Sequence, residues 1–539
     1  MVDSARCDGH SVSELRDHAK VGPGRPGGIT LPVLAAGCAL LLYAPFRSQR
    51  FDPNGILDAL AVDAGNGELW NPNHLLYRPF GAALEGAARL LGYGGRSIGP
   101  LQLVSAVGGA ITVGYALLVC WRLSRDRWAA CLAAALLATA WAQWTFSTDA
   151  GYITLASAAA AATLAWALSA DTSVRSACTG GALYALAVLC WQGNVFLAPV
   201  LIARLWLWRA ERRLLATAVL LSTSGTLVLA LYALAARWSG HGAGLGGAVE
   251  WATHYGGGGS VALPMWGRWS FEHVGGAGNA WLSSFLPVWE GLGLRALTHG
   301  NVQGDKVLGQ LALVAALAII AASFRQGREA RRRGILPSME LAWLAAGVGA
   351  YLPFIVWWDP FSPKWFVIVN LFVVAAAAII WSGAGPTLRA LLGLAIGTIA
   401  VANFAATIRP AHSGPSPHDA LARCVGAQVE RNDLVLVTDW GWFDYARYWY
   451  EIDYQVLYLV DARPPAEKLA LITERLARVR ENGARGYVME VDRALPERVA
   501  WMQELTQLRP EDLDRFAPRH AFTCAGVSFA ELTRSGAER

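Results

Sequence analysis

Asp52 and Asp58 follow the first apolar run of the chain, residues 29–46, and either carboxylate could act as a general base. A general base takes the proton from an acceptor hydroxyl as that hydroxyl attacks. Asp52 also has a structural explanation, because an Asp directly before Pro commonly caps the first turn of a helix. Asp58, like Asp63, could instead lie on the solvated face of that helix. The local pattern leaves both interpretations open.

The run from Asn71 to Phe80 (NPNHLLYRPF) places an imidazole, a phenol, a guanidinium and two amides close together. Asn71, His74, Tyr77 and Arg78 suit the phosphate headgroup of a lipid, with Arg78 as a bidentate partner. The alternative is an interfacial belt, in which Tyr77 and Arg78 anchor the chain at the level of the lipid headgroups. The run is therefore a candidate substrate-binding segment.

Asp149, at the start of the fourth apolar run, is a third candidate catalytic carboxylate. Helix capping would explain this residue as well. If Asp149 lies near Asp52, the two carboxylates would permit a divalent metal ion, because such ions prefer oxygen ligands. The sequence has no Cys and His spacing of the kind that binds zinc. A divalent metal ion is thus the one cofactor that the pattern suggests.

Two further gaps between apolar runs contain candidate binding residues. Gln192 and Asn194 lie at a turn of the chain, where their amides could hydrogen-bond a sugar. Trp358 offers an aromatic platform, and Lys364 offers a cation for a phosphate. Interfacial aromatic residues and polar turns are the alternative explanation for both gaps.

The composition shows which elements must position these residues. Of the 539 residues, 54% are hydrophobic and only 16% are charged, with a mean hydropathy of +0.34. Apolar runs of roughly 20 residues cross a bilayer, so the pattern predicts a mostly α-helical, polytopic membrane protein. The net charge of +5 is modest and does not indicate nucleic-acid binding. About eleven spans are predicted, at 29–46, 100–121, 128–146, 150–169, 177–192, 194–208, 214–236, 306–324, 339–357, 365–382 and 387–407.

Positive charge predicts the orientation of these spans. Arg and Lys are dense in the N-terminal tail, residues 1–28, and in three connections at 122–127, 209–213 and 325–333. All four lie on one side if the spans are right, and the positive-inside rule makes that side cytoplasmic. The candidate residues then share the other side, together with the chain after about residue 409. We therefore expect a plasma-membrane protein with a cytoplasmic N-terminus and an extracytoplasmic active site.

The outer segment 237–305 is too long for a simple connection between spans. It contains a glycine-rich stretch, Gly256 to Ser260, followed by aromatic residues that include Trp269 and Trp281. These features predict an amphipathic segment on the membrane surface with a glycine hinge.

Residues 410–539 form a predicted small α/β domain outside the membrane. Strands are expected at 434–438, 455–460 and 486–491, and helices at 465–480 and 495–505. The region has no glycine-rich phosphate loop. If this domain is extracytoplasmic, Cys424 and Cys524 could form a disulfide.

Residues 29–407 resemble the GT-C superfamily of glycosyltransferases that use polyprenyl-phosphate sugars, which includes protein O-mannosyltransferases and lipid A aminoarabinose transferases. Asp52, shortly after the first span, matches the essential acidic residue of the family's first outer loop, with Asp58 as its rival. The run Asn71 to Tyr77 is similar to a Pro/His/Leu/Tyr stretch of the family, with Asn73 at a position where a second His is frequent. The Asp-Glu pair of several members is absent, because Pro53 follows Asp52.

The resemblance implies a transferase reaction at the outer face of the bilayer. A polyprenyl-phosphate-linked sugar would enter from the lipid, and the loop Asp would deprotonate an extracytoplasmic acceptor that is a glycan, a lipid or a protein. The anomeric carbon would be inverted. Arg78 or Lys364 would neutralise the leaving phosphate.

Two other classes of function remain open. A membrane transporter or lipid flippase would carry ionisable residues within its spans and often shows internal repeats, whereas these spans hold few such residues. A non-catalytic scaffold that displays the outer α/β domain would explain that domain but not the polar loop between Asp52 and Tyr77.

Overall fold

The predicted spans are helical in the structure, which is a computed structural model. It describes residues 30–65, 67–169, 173–208, 212–241, 244–253, 269–287, 303–333, 337–414, 416–437, 442–452, 454–460, 463–490, 499–500, 502–503 and 506–533. The predicted N-terminal tail, the glycine-rich stretch from Gly256 to Ser260 and most of the predicted helix 495–505 lie outside this part of the chain.

Each of the eleven predicted spans coincides with a helix or with a bent pair of helices. In chain order the helices up to the C-terminal region are α1 (Thr30–Tyr43), α2 (Pro53–Ala64), α3 (Tyr77–Leu90), α4 (Ile98–Ser124), α5 (Arg127–Thr139), α6 (Trp141–Thr148), α7 (Ile153–Ala167), α8 (Val174–Cys190), α9 (Leu197–Trp208), α10 (Arg213–Trp238), α11 (Leu245–Thr253), α12 (Phe271–Phe285), α13 (Gln303–Arg332), α14 (Ser338–Trp358), α15 (Phe366–Trp381), α16 (Pro386–Asn403) and α17 (Arg409–Ser413).

Within the described residues, 6 helices are long and apolar enough to cross a membrane, or up to 7 if the bent pair α5 and α6 is one span. These two helices meet at an angle of 57°. The apolar helices that include α1, α7, α8 and α9 are shorter. The protein is a multi-pass membrane protein, and the count of eleven spans stays a prediction.

Helix α4 lies at the centre of the bundle, where α1, α5, α7 and α15 pack against it. Gly108 permits the close crossing of α4 and α7, because a Cβ at this position would lie 2.8 Å from the Leu155 nitrogen. Helix α15 is buried along most of its length. A core of this kind holds the ends of several helices, and the loops between them, in fixed relative positions.

The loop between α1 and α4 contains the two short helices α2 and α3. Helix α2 begins because the Asp52 side chain accepts a hydrogen bond from the Asn54 backbone N–H, with Pro53 in the first turn. It ends at Gly65, whose φ of 65° lies in the left-handed region. Asp58 is buried and Asp63 is exposed. The solvated-face interpretation therefore applies to Asp63 and is wrong for Asp58.

The C-terminal region contains a five-stranded sheet of order β2-β1-β3-β5-β4. Its elements are α18 (Pro417–Gln428), β1 (Leu434–Val437), α19 (Trp442–Tyr450), β2 (Gln455–Tyr458), α20 (Pro465–Glu481), β3 (Gly486–Met489), β4 (Pro518–Cys524) and β5 (Val527–Leu532). Strand β1 is parallel to both β2 and β3, whereas β5 is antiparallel to β3 and β4. The three predicted strands and the helix at 465–480 are confirmed.

The hairpin of β4 and β5 is absent from the sequence-based prediction. Most of β4 is exposed or half-exposed, so it lacks the apolar run that marks a buried strand. The available signal was the two-residue turn between the strands, Ala525 and Gly526, which have φ values of 50° and 80°. The possible disulfide is present, and it joins Cys424 on α18 to Cys524 on β4 across a sequence separation of 100.

Candidate active site

The candidate base Asp52 lies at the end of an irregular segment, residues 47–52, that leads from α1 to α2. Its Oδ1 accepts hydrogen bonds of 2.8 Å from both the backbone N–H and the side-chain amide of Asn54. The capping interpretation of Asp52 is therefore correct. Capping uses one carboxylate oxygen only, because Oδ2 makes no hydrogen bond within the described part of the chain. The residue is half-buried.

Asp149 lies beside Asp52, as the metal hypothesis required. Its Oδ2 accepts a 2.8 Å hydrogen bond from the Asp52 backbone N–H, and its Oδ1 accepts a 2.7 Å bond from the Ala150 N–H. Asp149 ends helix α6 and does not cap the next one, since α7 begins at Ile153. Burial, together with the nearby charge of Asp52, raises the pKa of the Asp149 carboxyl to about 7.

Asp58 is committed to two basic side chains of the same loop. Its Oδ1 accepts hydrogen bonds from His74 Nε2 at 3.0 Å and from Arg78 Nε at 2.6 Å. Burial alone would raise the pKa of Asp58, but His74 and Arg78 outweigh burial and lower this pKa to about 2. Burial also lowers the pKa of His74, which favours a neutral ring that donates its Nε2 hydrogen to Asp58. A carboxylate held in this way is a poor proton acceptor.

Lys364 lies just before helix α15, and its side chain points to Tyr152 in the polar gap after Asp149. The residue is only 4% exposed, and its Nζ lies 4.3 Å from the centre of the Tyr152 ring. His74 contacts the same tyrosine, because the His74 and Tyr152 rings stack with their centroids 4.0 Å apart. Lys364 has no carboxylate within salt-bridge distance in the described ranges. A buried cation without such a partner favours binding of an anion.

The remaining candidates of the first loop play supporting roles. The Asn71 side chain accepts a hydrogen bond from the Asn73 N–H and caps a short 3-10 helix. The Asn73 amide donates to the Tyr152 hydroxyl at 3.2 Å. Tyr77 is fully buried, and its hydroxyl bonds the Leu101 carbonyl and the Ser105 hydroxyl. Tyr77 therefore packs the loop onto α4.

Gln192 and Asn194 lie on a 3-10 helix, Gln192–Phe196, that packs against the short helix carrying His74, but their side-chain amides bind other residues. The Gln192 amide donates to the Ala252 carbonyl at 3.1 Å. Asn194 is buried, and its amide bonds the bundle's own backbone and the Tyr351 hydroxyl. Trp358 stacks on Phe354 at 6.1 Å. Asn194 is thus explained by packing, since its polar atoms are already satisfied.

Asp52 and Asp149 are too few to form a chelating metal site. The described residues contain no group of three or more His, Cys, Asp or Glu side chains placed to hold a metal ion. Both oxygens of Asp149 already accept backbone N–H groups, which leaves mainly Asp52 Oδ2 for a cation.

Nothing in the linear pattern singles out Tyr152, although it contacts His74, Asn73 and Lys364 at once. Its only local signal is its place in the short polar gap after Asp149. Asp359 lies in the gap that contains Trp358. Its Oδ2 accepts a 2.9 Å hydrogen bond from Trp365 Nε1, and burial raises the pKa of its carboxyl.

The structure of the chain is similar to solved structures of two membrane enzymes. ArnT from Cupriavidus metallidurans, in its structure bound to undecaprenyl phosphate, matches with a TM-score of 0.54 at 12% identity, over 96% of this chain and 100% of that one. The Archaeoglobus fulgidus oligosaccharyltransferase, tethered with an acceptor peptide containing the NVT sequon, matches with a TM-score of 0.51 at 13% identity, over 91% of this chain and 72% of that one. Both are GT-C glycosyltransferases.

The chain has the GT-C fold. The resemblance expected from Asp52, the Asn71 to Tyr77 run and the span pattern is thereby confirmed at the level of the fold. No protein-family model matches the sequence, and no curated protein matches it significantly. The GT-C fold is therefore visible in the tertiary structure at identities where sequence comparison finds nothing.

Proposed function

We propose that this protein is an integral-membrane glycosyltransferase that moves a sugar from a polyprenyl-phosphate donor to an extracytoplasmic acceptor. The observation that carries the proposal lies in the loops of a GT-C bundle, where Asp52 contacts Asp149 and the charge of Lys364 acts on the Asp149 carboxyl. This places a carboxylate with an open oxygen near a buried cation, the two groups that transfer from a sugar phosphate needs. The bound undecaprenyl phosphate of the ArnT structure supports a donor of this type.

In the proposed reaction, the open Oδ2 of Asp52 takes the proton of the acceptor hydroxyl. The acceptor oxygen forms a bond to the anomeric carbon as the bond from that carbon to the phosphate oxygen breaks. Attack from the side opposite the phosphate inverts the configuration. The electron pair stays with the leaving polyprenyl phosphate, whose charge Lys364 stabilises. We assign the base to Asp52 in preference to Asp58, because Asp58 is held by His74 and Arg78.

Asp149 and Asp58 are proposed to position the reacting groups without reacting themselves. Asp149 fixes the Asp52 backbone through a hydrogen bond to its N–H. Asp58 holds His74 against Tyr152, which forms the surface beside Lys364. His74 and Arg78 are proposed to shape the donor site, and Arg78 is less suited than Lys364 to neutralise the phosphate because it already pairs with Asp58.

Sugar transfer from a panel of polyprenyl-phosphate sugars by the purified protein tests the proposal. General base catalysis contributes about 10²–10⁴-fold, so Asp52→Asn should lose transfer by a factor in that range. Asp63→Asn is the matched control, because Asp63 is an exposed carboxylate on the same helix. If Asp52→Asn keeps full activity, the base is another residue. If folded wild-type protein neither binds nor turns over any donor, the transporter or scaffold alternatives take precedence.

The orientation is proposed on the charge of the connecting loops alone. It places the N-terminus in the cytoplasm and the C-terminal sheet outside the plasma membrane. Protease added to intact spheroplasts should then cleave the C-terminal region without breaking the membrane. If that region is protected until the spheroplasts are lysed, the orientation is the opposite of the one proposed.

A further inference from the structure

The segment that carries Asp52 is fixed by an unbroken series of backbone hydrogen bonds. Its donors are the N–H groups of residues 48 to 52, and each has a partner. The acceptors, in order, are the Thr148 carbonyl at 2.9 Å, the Ala411 carbonyl at 2.7 Å, the Ser48 hydroxyl at 3.0 Å, the Tyr445 hydroxyl at 2.7 Å and the Asp149 carboxylate at 2.8 Å. A catalytic group placed on a loop needs support of this kind.

Tyr445 is the member of this series that comes from the C-terminal sheet region. It lies on α19, which follows β1 directly and packs on α2 of the loop between α1 and α4. The residue is 1% exposed, and its ring contacts that of Phe51 with centroids 6.3 Å apart. The ring of Trp449, one turn further along α19, also contacts the Phe51 ring, with centroids 6.1 Å apart. Tyr445 thus holds both the backbone and the side chain of the residue that precedes Asp52.

We infer that the C-terminal domain is part of the catalytic unit, and that Tyr445 is a positioning residue that sets the place of the Asp52 carboxylate. This inference rests on the proposed role of Asp52 as the base. The Phe51 and Asp52 N–H groups are consecutive, and they are bound by Tyr445 from the C-terminal domain and by Asp149 from the membrane bundle. The carboxylate is therefore fixed only when the two parts of the chain are docked.

Tyr448 provides a matched control on the same helix. Its hydroxyl accepts a 3.1 Å hydrogen bond from the Ile98 N–H at the start of α4, and the Arg96 guanidinium lies 5.1 Å from its ring centre. Tyr448 therefore docks the same helix on the same bundle but has no bond to residues 47–52. Replacing either tyrosine by phenylalanine removes one hydroxyl acceptor for one backbone N–H.

The test compares Tyr445→Phe with Tyr448→Phe in the full-length protein, first by sugar transfer. Loss of the Phe51 anchor should lower kcat by roughly ten- to hundred-fold with KM for the donor unchanged, because a small displacement of a reacting group is costly. Tyr448→Phe should keep kcat within about two-fold, since it leaves that anchor intact. Equal losses in both variants, or no loss in Tyr445→Phe, would overturn the inference.

Hydrogen–deuterium exchange of a peptide covering residues 47–54 separates this inference from the proposed function. Exchange should be faster than wild type in Tyr445→Phe and unchanged in Tyr448→Phe. Unchanged exchange in Tyr445→Phe would overturn the inference even if the wild-type protein transfers sugar. Absence of transfer by wild type would instead remove the proposed function, and the exchange result would still decide whether Tyr445 holds the Asp52 segment.

Discussion

Gly55, in the first turn of α2, allows this helix to approach the loop that carries Asp149. A Cβ at Gly55 would overlap the Ala150 carbonyl oxygen and would lie 3.1 Å from the Ala150 Cβ and 3.2 Å from its carbonyl carbon. The obstacle is backbone, so it cannot be avoided by a change of rotamer. Gly55→Ala should therefore force α2 and the Asp149 loop apart by a distance on the order of 1 Å.

This separation acts on the hydrogen bond between the Asp52 N–H and Asp149, which is 2.8 Å long. Misplacement of a reacting group by about 1 Å can cost roughly a hundred-fold in rate. Overpacking also costs about 1–3 kcal/mol of stability, offset in part by the better helix propensity of Ala. We expect Gly55→Ala to lose most of its transfer activity and some of its stability.

The control is Gly86→Ala on the neighbouring helix α3. No atom lies within 4 Å of a Cβ built on Gly86, so the same substitution has free space there. This variant should keep full activity and gain up to about 1 kcal/mol, because Ala is a better helix former than Gly. Transfer rates and thermal unfolding in detergent measure both effects. If Gly55→Ala behaves like Gly86→Ala in both assays, the close packing between α2 and Ala150 does not control the site.

Three further outcomes are expected. Lys364→Met should weaken binding of a polyprenyl phosphate by roughly ten- to hundred-fold, because a charged hydrogen bond of about 1.5–3 kcal/mol is lost. Lys364→Arg should retain more of the affinity, since it keeps the positive charge. Equal affinity of wild type and both variants would contradict this prediction. Because the folded-state pKa of Asp149 is raised to about 7, above the unfolded value, wild type loses stability as pH rises towards 7. The unfolding temperature of Asp149→Asn relative to wild type should therefore rise between about pH 4 and pH 7 and level off above that, and a pH-independent difference would refute the assigned pKa. Replacing Cys424 and Cys524 by Ser removes the disulfide that closes a loop with a sequence separation of 100, which should lower the free energy of unfolding by about 4 kcal/mol. The C-terminal domain should then be cleaved more readily by protease. Unchanged protease resistance would show that the disulfide does not stabilise this domain.

The sequence by itself determined the membrane class, the positions of the helices and the candidate loop. These features depend on local quantities, namely the length of apolar runs and the spacing of apolar residues, which a linear pattern contains in full. The strands β1 to β3 were predictable for the same reason, because they are short buried apolar runs between turns. The hairpin of β4 and β5 was not, since most of β4 is exposed or half-exposed and lacks a buried apolar run.

Only the tertiary structure decided which partners the polar residues of the loop have. Asp52 and Asp149 meet across 97 positions, and Phe51 and Tyr445 meet across 394. No local periodicity encodes contacts of that range, because they arise when packed helices bring distant loops together. The sequence offered Asp52 as the better match to the acidic residue of the GT-C family and Asp58 as its rival. Their surroundings differ in the structure, since Asp58 is buried and bound by His74 and Arg78, whereas Asp52 is half-buried and has no basic partner among the described residues.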